Sequence, residues 1–265
     1  MKRAEFRFNH FILRASLVIF SYIAGITLLR AEVYFGVFTG YQAASRSTNV
    51  RATEDVGYST STPLLHPSTG SDLELKDSVV GGIKLGMFFD SSPNWGVEFS
   101  SQFSRPDLKR QNVTITLTDG YTIPGTSFST FTEDTLPADF NFIKTQGMLL
   151  YRVFLGDKWR PYLGVGPVFY TLFIHGDGRS GNVVAPAALS SGGTYNNGTL
   201  GDGFGTGFGV AGKLGVEYVL DKTWSLDFEY QTTKGSLSID HLRSFSDIKA
   251  DFSDQTVAVG LRYKF

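Results

Sequence analysis

In eight stretches of this 265-residue chain, apolar and polar residues alternate with a period of two, and every charge within them falls on one parity. Alternation of that kind puts successive side chains on opposite faces of a β-strand. The stretches are 33–42, 79–89, 95–103, 143–154, 159–173, 207–220, 224–233 and 255–265. One face is apolar, with Phe35, Val37, Ile83, Leu85, Val97, Phe99, Leu149, Leu163, Phe208, Val210, Leu226, Phe228, Val257 and Val259 among its members. The other holds all eleven charges: Lys84, Glu98, Lys144, Arg152, Arg160, Lys213, Glu217, Asp227, Glu229, Arg262 and Lys264. Such a chain is all-β, and one face of every strand avoids charge.

Three tryptophans give the strands an order. Trp95, Trp159 and Trp224 lie 64 and 65 residues apart, each just after a short polar turn. Each interval reads as a strand, a long polar connection, a returning strand and a tight turn. The long connections are 44–76, 104–140, 174–204 and 234–250, all at the end opposite the turns. Within the second, Val113–Thr118 alternates again and is expected to form a strand extension or a small hairpin outside the barrel, because its partner segment 126–133 has no apolar face. A ten-stranded barrel is the alternative.

Composition narrows the function classes. The chain has 30 Gly and 14% aromatic residues, only 18% charged residues, and no Cys. The missing Cys excludes disulfide scaffolds, thiolate metal sites and Cys nucleophiles. A net charge of −1 gives no drive toward nucleic acid.

Alternation alone does not say which face is inside, because a secreted lipocalin-like barrel shows the same pattern inverted. Three features favour a transmembrane barrel. Trp on the apolar face after every short turn builds an aromatic girdle, expected to comprise Trp95, Trp159, Trp224, Tyr263 and Phe265. Glycines crowd the polar face (Gly82, Gly86, Gly164, Gly166, Gly207, Gly209 and Gly215), as a narrow interior requires. Short turns at one end with long loops at the other complete the pattern.

Residues 1–31 read as a secretory signal peptide, with Lys2, Arg3, Arg7 and Arg14 before the apolar run Ala15–Leu29 and Ala31 as the last residue removed. The barrel domain is then 32–265. Taking five basic residues and one acid from totals of 24 and 25 leaves 19 and 24, so the remainder carries net −5.

The closing run Val257–Phe265 alternates and ends in Phe, and the chain contains Leu150-Tyr151-Arg152-Val153 and Trp159-Arg160-Pro161-Tyr162-Leu163-Gly164. With these motifs the chain resembles the outer-membrane β-barrel domain family of Gram-negative bacteria, whose small eight-stranded members include opacity-type surface proteins. The resemblance implies an up-and-down eight-stranded barrel with four long extracellular loops. It also implies outer-membrane lipids and the barrel-assembly machinery as partners, and it brings no cofactor and no catalytic motif.

An eight-stranded interior is filled by its own side chains, so inward charges are expected to pair. Glu98, Arg152, Glu217, Asp227 and Arg262 are placed in one polar layer, with Asp227 on Arg262 and either Glu98 or Glu217 on Arg152. The competing reading of the same residues is an ion path.

Other motifs carry less. Gly207-Phe208-Gly209-Val210-Ala211-Gly212-Lys213 resembles a phosphate-binding loop, but Leu214 replaces the Mg²⁺-binding Ser or Thr and no helix follows. His10, His66, His175 and His241 are scattered without ligand spacing, so no metal site is expected. Asp240, His241 and Ser244 invite a catalytic-triad reading, but the His-x-Ser arrangement of the lipid A deacylases is missing. The expected function is therefore a surface protein, with the barrel as anchor and the loops for adhesion to an unidentified ligand. The alternatives are a small-molecule or ion-conducting barrel of the outer-membrane protein W type, and a lipid-modifying enzyme.

Overall fold

The alternating stretches close into a ring. A computed structural model describes residues 31–55, 65–109, 111–120, 130–134, 139–175, 180–183, 195–199, 203–242 and 245–265. Among them the strands are β1 Ala31–Asp55, β2 Leu65–Gly70, β3 Leu73–Glu74, β4 Ser78–Phe89, β5 Ser92–Ser104, β6 Asn112–Leu117 and β7 Thr130–Asp134. They continue with β8 Asp139–Arg152, β9 Trp159–His175, β10 Ser180–Val183, β11 Tyr195–Thr199, β12 Gly203–Val219, β13 Trp224–Leu242 and β14 Phe245–Lys264. Antiparallel pairing runs β1-β4-β5-β8-β9-β12-β13-β14, and β14 pairs back onto β1. The barrel has eight strands, not ten.

The register fixes its shape. Stepping between directly paired residues, Trp159 leads to Tyr218, Leu226, Leu261, Val37, Ile83, Ser101, Thr145 and then Phe169. One circuit thus returns to β9 ten residues further on. At ~3.3 Å per residue and ~4.8 Å between strands, that stagger tilts the strands by roughly 40°.

Around the ring the apolar parity points outward: Phe208 is 69% exposed and Val210 63%. The charged parity points into the lumen, where Arg262 is 1% exposed. No helix among the described residues is long and apolar enough to cross a membrane.

Two expected long loops, 44–76 and 234–250, are largely strand. β1 runs on to Asp55, and β13 and β14 replace most of 234–250 with a hairpin. The reason lies in the surroundings. Where the wall leaves the bilayer the outward face meets water, and the buried apolar residues change parity. On β14, Val257 and Val259 face out while Phe252 and Ile248 are buried; on β13, Phe228 and Tyr230 face out while Leu237 is buried. The alternation persists with its faces exchanged, which a single-parity reading takes for loop.

Beyond the bilayer β1 also pairs with β2, β2 with β6, and β6 with β7, so the sheet spreads sideways into a second wall. The hairpin expected from Val113–Thr118 is β6–β7. Val113, Ile115 and Leu117 of β6 are buried, which gives this wall a core of its own. Strands β10 and β11 form a separate two-stranded sheet within the expected third loop.

Candidate functional site

The lumen is filled in tiers. Nearest the short turns, Arg152 donates to both carboxylate oxygens of Glu32, at 2.9 and 2.8 Å. Glu32 also receives Arg160 at 3.2 Å, and Lys264 sits 2.5 Å from Glu217. Above lies a six-charge cluster of Lys84, Lys213 and Arg262 with Glu98, Asp227 and Glu229. Lys213 donates to Glu98 at 2.5 Å, Arg262 donates to Asp227 at 3.0 Å, and Lys84 bonds Asp227 and lies 2.9 Å from Glu229. The Tyr162 hydroxyl lies 2.8 Å from Asp227 and 2.5 Å from Glu229, and the Tyr34 hydroxyl donates to Glu98 at 2.7 Å. The Arg262 guanidinium stands over both tyrosine rings, at 4.6 and 4.8 Å. Equal numbers of opposite charges and these extra donors offset the cost of burying ions.

Next come the amides. Gln146 donates to Ser100 and Gln231, both at 2.9 Å. Lys144 then meets Asp254 at 2.7 Å, where Thr233 also donates. Toward the long loops come three aromatic rings, Phe142 lying 4.9 Å from Phe252 and 5.7 Å from Tyr170, and buried Leu172, Ile174 and Phe140 continue the stack beyond them.

Glycine makes room for the large side chains. Tyr34 pairs directly with Gly86, Phe38 with Gly82, Phe88 with Gly96, and Tyr162 with Gly215. A Cβ on Gly86 or Gly215 would overlap the tyrosine ring lying across it. The lumenal glycines therefore serve as recesses for rings from the neighbouring strand.

Of the sequence candidates, Asp227, Arg262 and Glu98 share the central tier. Arg152 and Glu217 lie one tier below, so a single polar layer is corrected to two. Glu98 does not meet Arg152; its partners are Lys213 and Tyr34. Glu217 reaches Arg152 only at 4.0 Å, and Lys264 is nearer. The principal partner of Arg152 is Glu32, one residue before the alternating stretch 33–42. Asp254 likewise lies one residue before 255–265. Extending each alternation by one step would have found both.

Outside, Trp95 packs edge-on to Tyr151 at 5.0 Å, Trp159 contacts Tyr218 at 4.7 Å, and Trp224 meets Tyr263 at 5.0 Å, with Phe265 beyond it at 5.1 Å. Each Trp is joined to an aromatic residue of the adjacent strand. In the turn before Trp224, Asp221 accepts the amides of Thr223 and Trp224 at 2.7 and 2.8 Å, which holds its carboxyl below its ordinary value.

A model of the outer membrane protein beta-barrel domain family matches residues 33–265. The chain belongs to that family. No curated protein sequence matches it. Among solved structures it is similar to Neisserial surface protein A, with 14% identity over 89% of this chain and 99% of the other, at a TM-score of 0.42. OprG of Pseudomonas aeruginosa is 14% identical over 89% and 97%, also at 0.42. The outer membrane protease OmpT of Escherichia coli is 9% identical over 88% and 97%, at 0.44. As an outer-membrane β-barrel protein of the Gram-negative type, it resides in the outer membrane and crosses it with strands. Family barrels keep their short turns on the periplasmic side.

The remaining motifs fall into place on this barrel. Gly207–Lys213 lies within β12, and its lysine is held by Glu98 in the lumen. His66 contacts Asp119 at 2.6 Å. Among the described residues no group of His, Asp and Glu is arranged to hold a metal. Residues 1–30, Ser244 and the side chain of His241 lie outside the described residues, so the signal peptide and the Asp240, His241 and Ser244 reading do too.

Proposed function

We propose that the barrel is a closed anchor and that the protein works through its extracellular β-walls, by contact with molecules outside the cell. The filled lumen carries this reading: paired charges, amides and an apolar plug of aromatic and aliphatic side chains succeed one another along the axis. An eight-stranded barrel has no spare width for a path around such a stack. The walls add support, because strands of 19 and 20 residues are about twice what a bilayer needs. Their extra length presents a rigid hydrogen-bonded surface.

Planar-bilayer recording on the refolded chain tests the reading. It expects a silent membrane; discrete conductance steps would favour small-molecule or ion passage instead. No lipid-modifying role is assigned, and expression should leave lipid A mass unchanged. A mass shift abolished by Ser244→Ala would overturn that. Residues 1–31 act as a removable signal in this reading, so N-terminal sequencing of the outer-membrane form should begin at Glu32. Insertion then depends on the barrel-assembly machinery, whose depletion should leave the chain unassembled.

A further inference from the structure

Between the six-charge cluster and the apolar plug, six buried polar atoms have no hydrogen-bond partner among the described residues. They are Gln42 Oε1, Gln102 Nε2, Ser104 Oγ, Gln146 Oε1, Gln231 Nε2 and Thr256 Oγ1. None of the six residues is more than 5% exposed. The register brings them to one level. Gln231 pairs directly with Thr256, and Thr256 with Gln42, which sets three in a row across β13, β14 and β1. On the facing wall Gln102 pairs with Lys144, Ser104 with Phe142, and Gln146 with Ser100. The ten-residue stagger over eight strands lifts each paired neighbour by roughly 3 Å, so the six lie within about 8 Å of one another along the axis.

Orphaned polar atoms are costly and rare inside a folded protein. Six at one level call for a partner that the wall does not supply: Gly40 and Ala211, at the same height, bring no polar side chain. The amides define what that partner must be. Gln146 Nε2 donates to Gln231 Oε1 at 2.9 Å, from β8 across the lumen to β13. This bond fixes both amides, leaving a carbonyl free on Gln146 and an NH2 free on Gln231. A cation satisfies the first and is repelled by the second, and an anion does the reverse. The hydroxyls of Ser104 and Thr256 both give and take. The set suits a neutral molecule that donates and accepts at once, and a lumen this narrow requires it to be small.

We propose that this level of the lumen is a binding site for water, a cluster of about three molecules bonded to the six atoms and to one another. The ion pairs below and the apolar plug above hold the cluster in place. The closed-anchor reading says nothing of what the lumen contains; only the long residence of the water rests on it.

The test is NMR cross-relaxation between water and the glutamine side-chain amides of the refolded chain in detergent micelles. Long-lived bound water gives NOE and ROE cross-peaks of opposite sign at Gln42, Gln102, Gln146 and Gln231. Absent peaks, or peaks of equal sign, would overturn the proposal. Bilayer recording keeps the two readings apart. Conductance together with opposite-sign peaks counts against the closed anchor alone, and a silent membrane without such peaks counts against the water site alone. Thr256→Val supplies a second readout, since it exchanges the hydroxyl for a methyl group. If Thr256 Oγ1 bonds water, the variant loses that bond and its melting midpoint in detergent falls; if the hydroxyl is a dry orphan, its removal raises the midpoint. A fall is expected, and an equal or higher midpoint would sink the proposal. Replacing sodium chloride by choline chloride should shift parent and variant alike. A stabilisation by Na⁺ that Thr256→Val abolishes would make the occupant a cation instead of water.

Discussion

Arg152 holds Glu32 with both terminal nitrogens across 120 residues of sequence. Its Nε donates to the Pro93 carbonyl at 2.8 Å, and its guanidinium lies 3.6 Å over the Phe88 ring. One side chain therefore ties β8 to the start of β1, the β4–β5 turn and the lumenal floor. Arg152→Ala should lower the unfolding free energy by about 3 kcal/mol, because it leaves a partly buried carboxylate short of its main partner. Glu32→Gln, which retains an acceptor, should cost less, about 1–2 kcal/mol. Urea unfolding in detergent, followed by tryptophan fluorescence, separates the two.

Asp227 lies at the centre of the six-charge cluster, bonded to Lys84, Arg262 and Tyr162. Asp227→Asn leaves two buried cations short of an anion and should cost about 3–5 kcal/mol. Adding Lys84→Met removes one of those cations, so the double variant should be more stable than the sum of the single effects implies. Strict additivity in the same unfolding experiment would show that the two residues are not energetically coupled.

Gly86 and Gly147 make a matched pair. A methyl group on Gly86 meets the Tyr34 ring, whereas one on Gly147 meets nothing within 4 Å. Gly86→Ala should therefore cost about 1–3 kcal/mol through overpacking. Gly147→Ala should stay within about 0.5 kcal/mol of the parent. Equal effects on the melting temperature would contradict the recess role of the lumenal glycines.

The Asp221 turn should respond to acid. Its carboxyl lies below the ordinary value of 3.8 when folded, held there by the Thr223 and Trp224 amides. The stabilisation is thus complete above the unfolded value and fades as pH falls through the folded one. Carbon-13 NMR should find Asp221 titrating at lower pH in the folded barrel than in the urea-unfolded chain. Asp221→Ala should abolish the local response at Trp224.

Much of the barrel was legible because lipid enforces a strict code. A charge on a lipid-facing position costs about 2–4 kcal/mol at midplane, so parity at Lys84, Lys213 or Arg262 identifies the lumen without any structure. The individual pairs were not legible in the same way. Which carboxylate meets Lys213 depends on the ten-residue stagger, and no local pattern encodes that stagger. The extramembrane walls were hidden for a different reason. At Ile248 and Phe252 the apolar residues occupy the parity that holds charge at Arg262 and Lys264. The code had changed solvent along with the strand.

The seam between β1 and β14 has a kinetic side. Tyr34 pairs with Lys264, so the contacts that close the ring join residues 230 positions apart. Until β14 arrives, the other seven strands form an open sheet with two unsatisfied edges, each a template for another chain. Closure at such sequence separation is slow, and the intermediate is exposed to aggregation throughout the wait. A lesion anywhere in β14 should therefore act on assembly yield before it acts on the stability of barrels already closed.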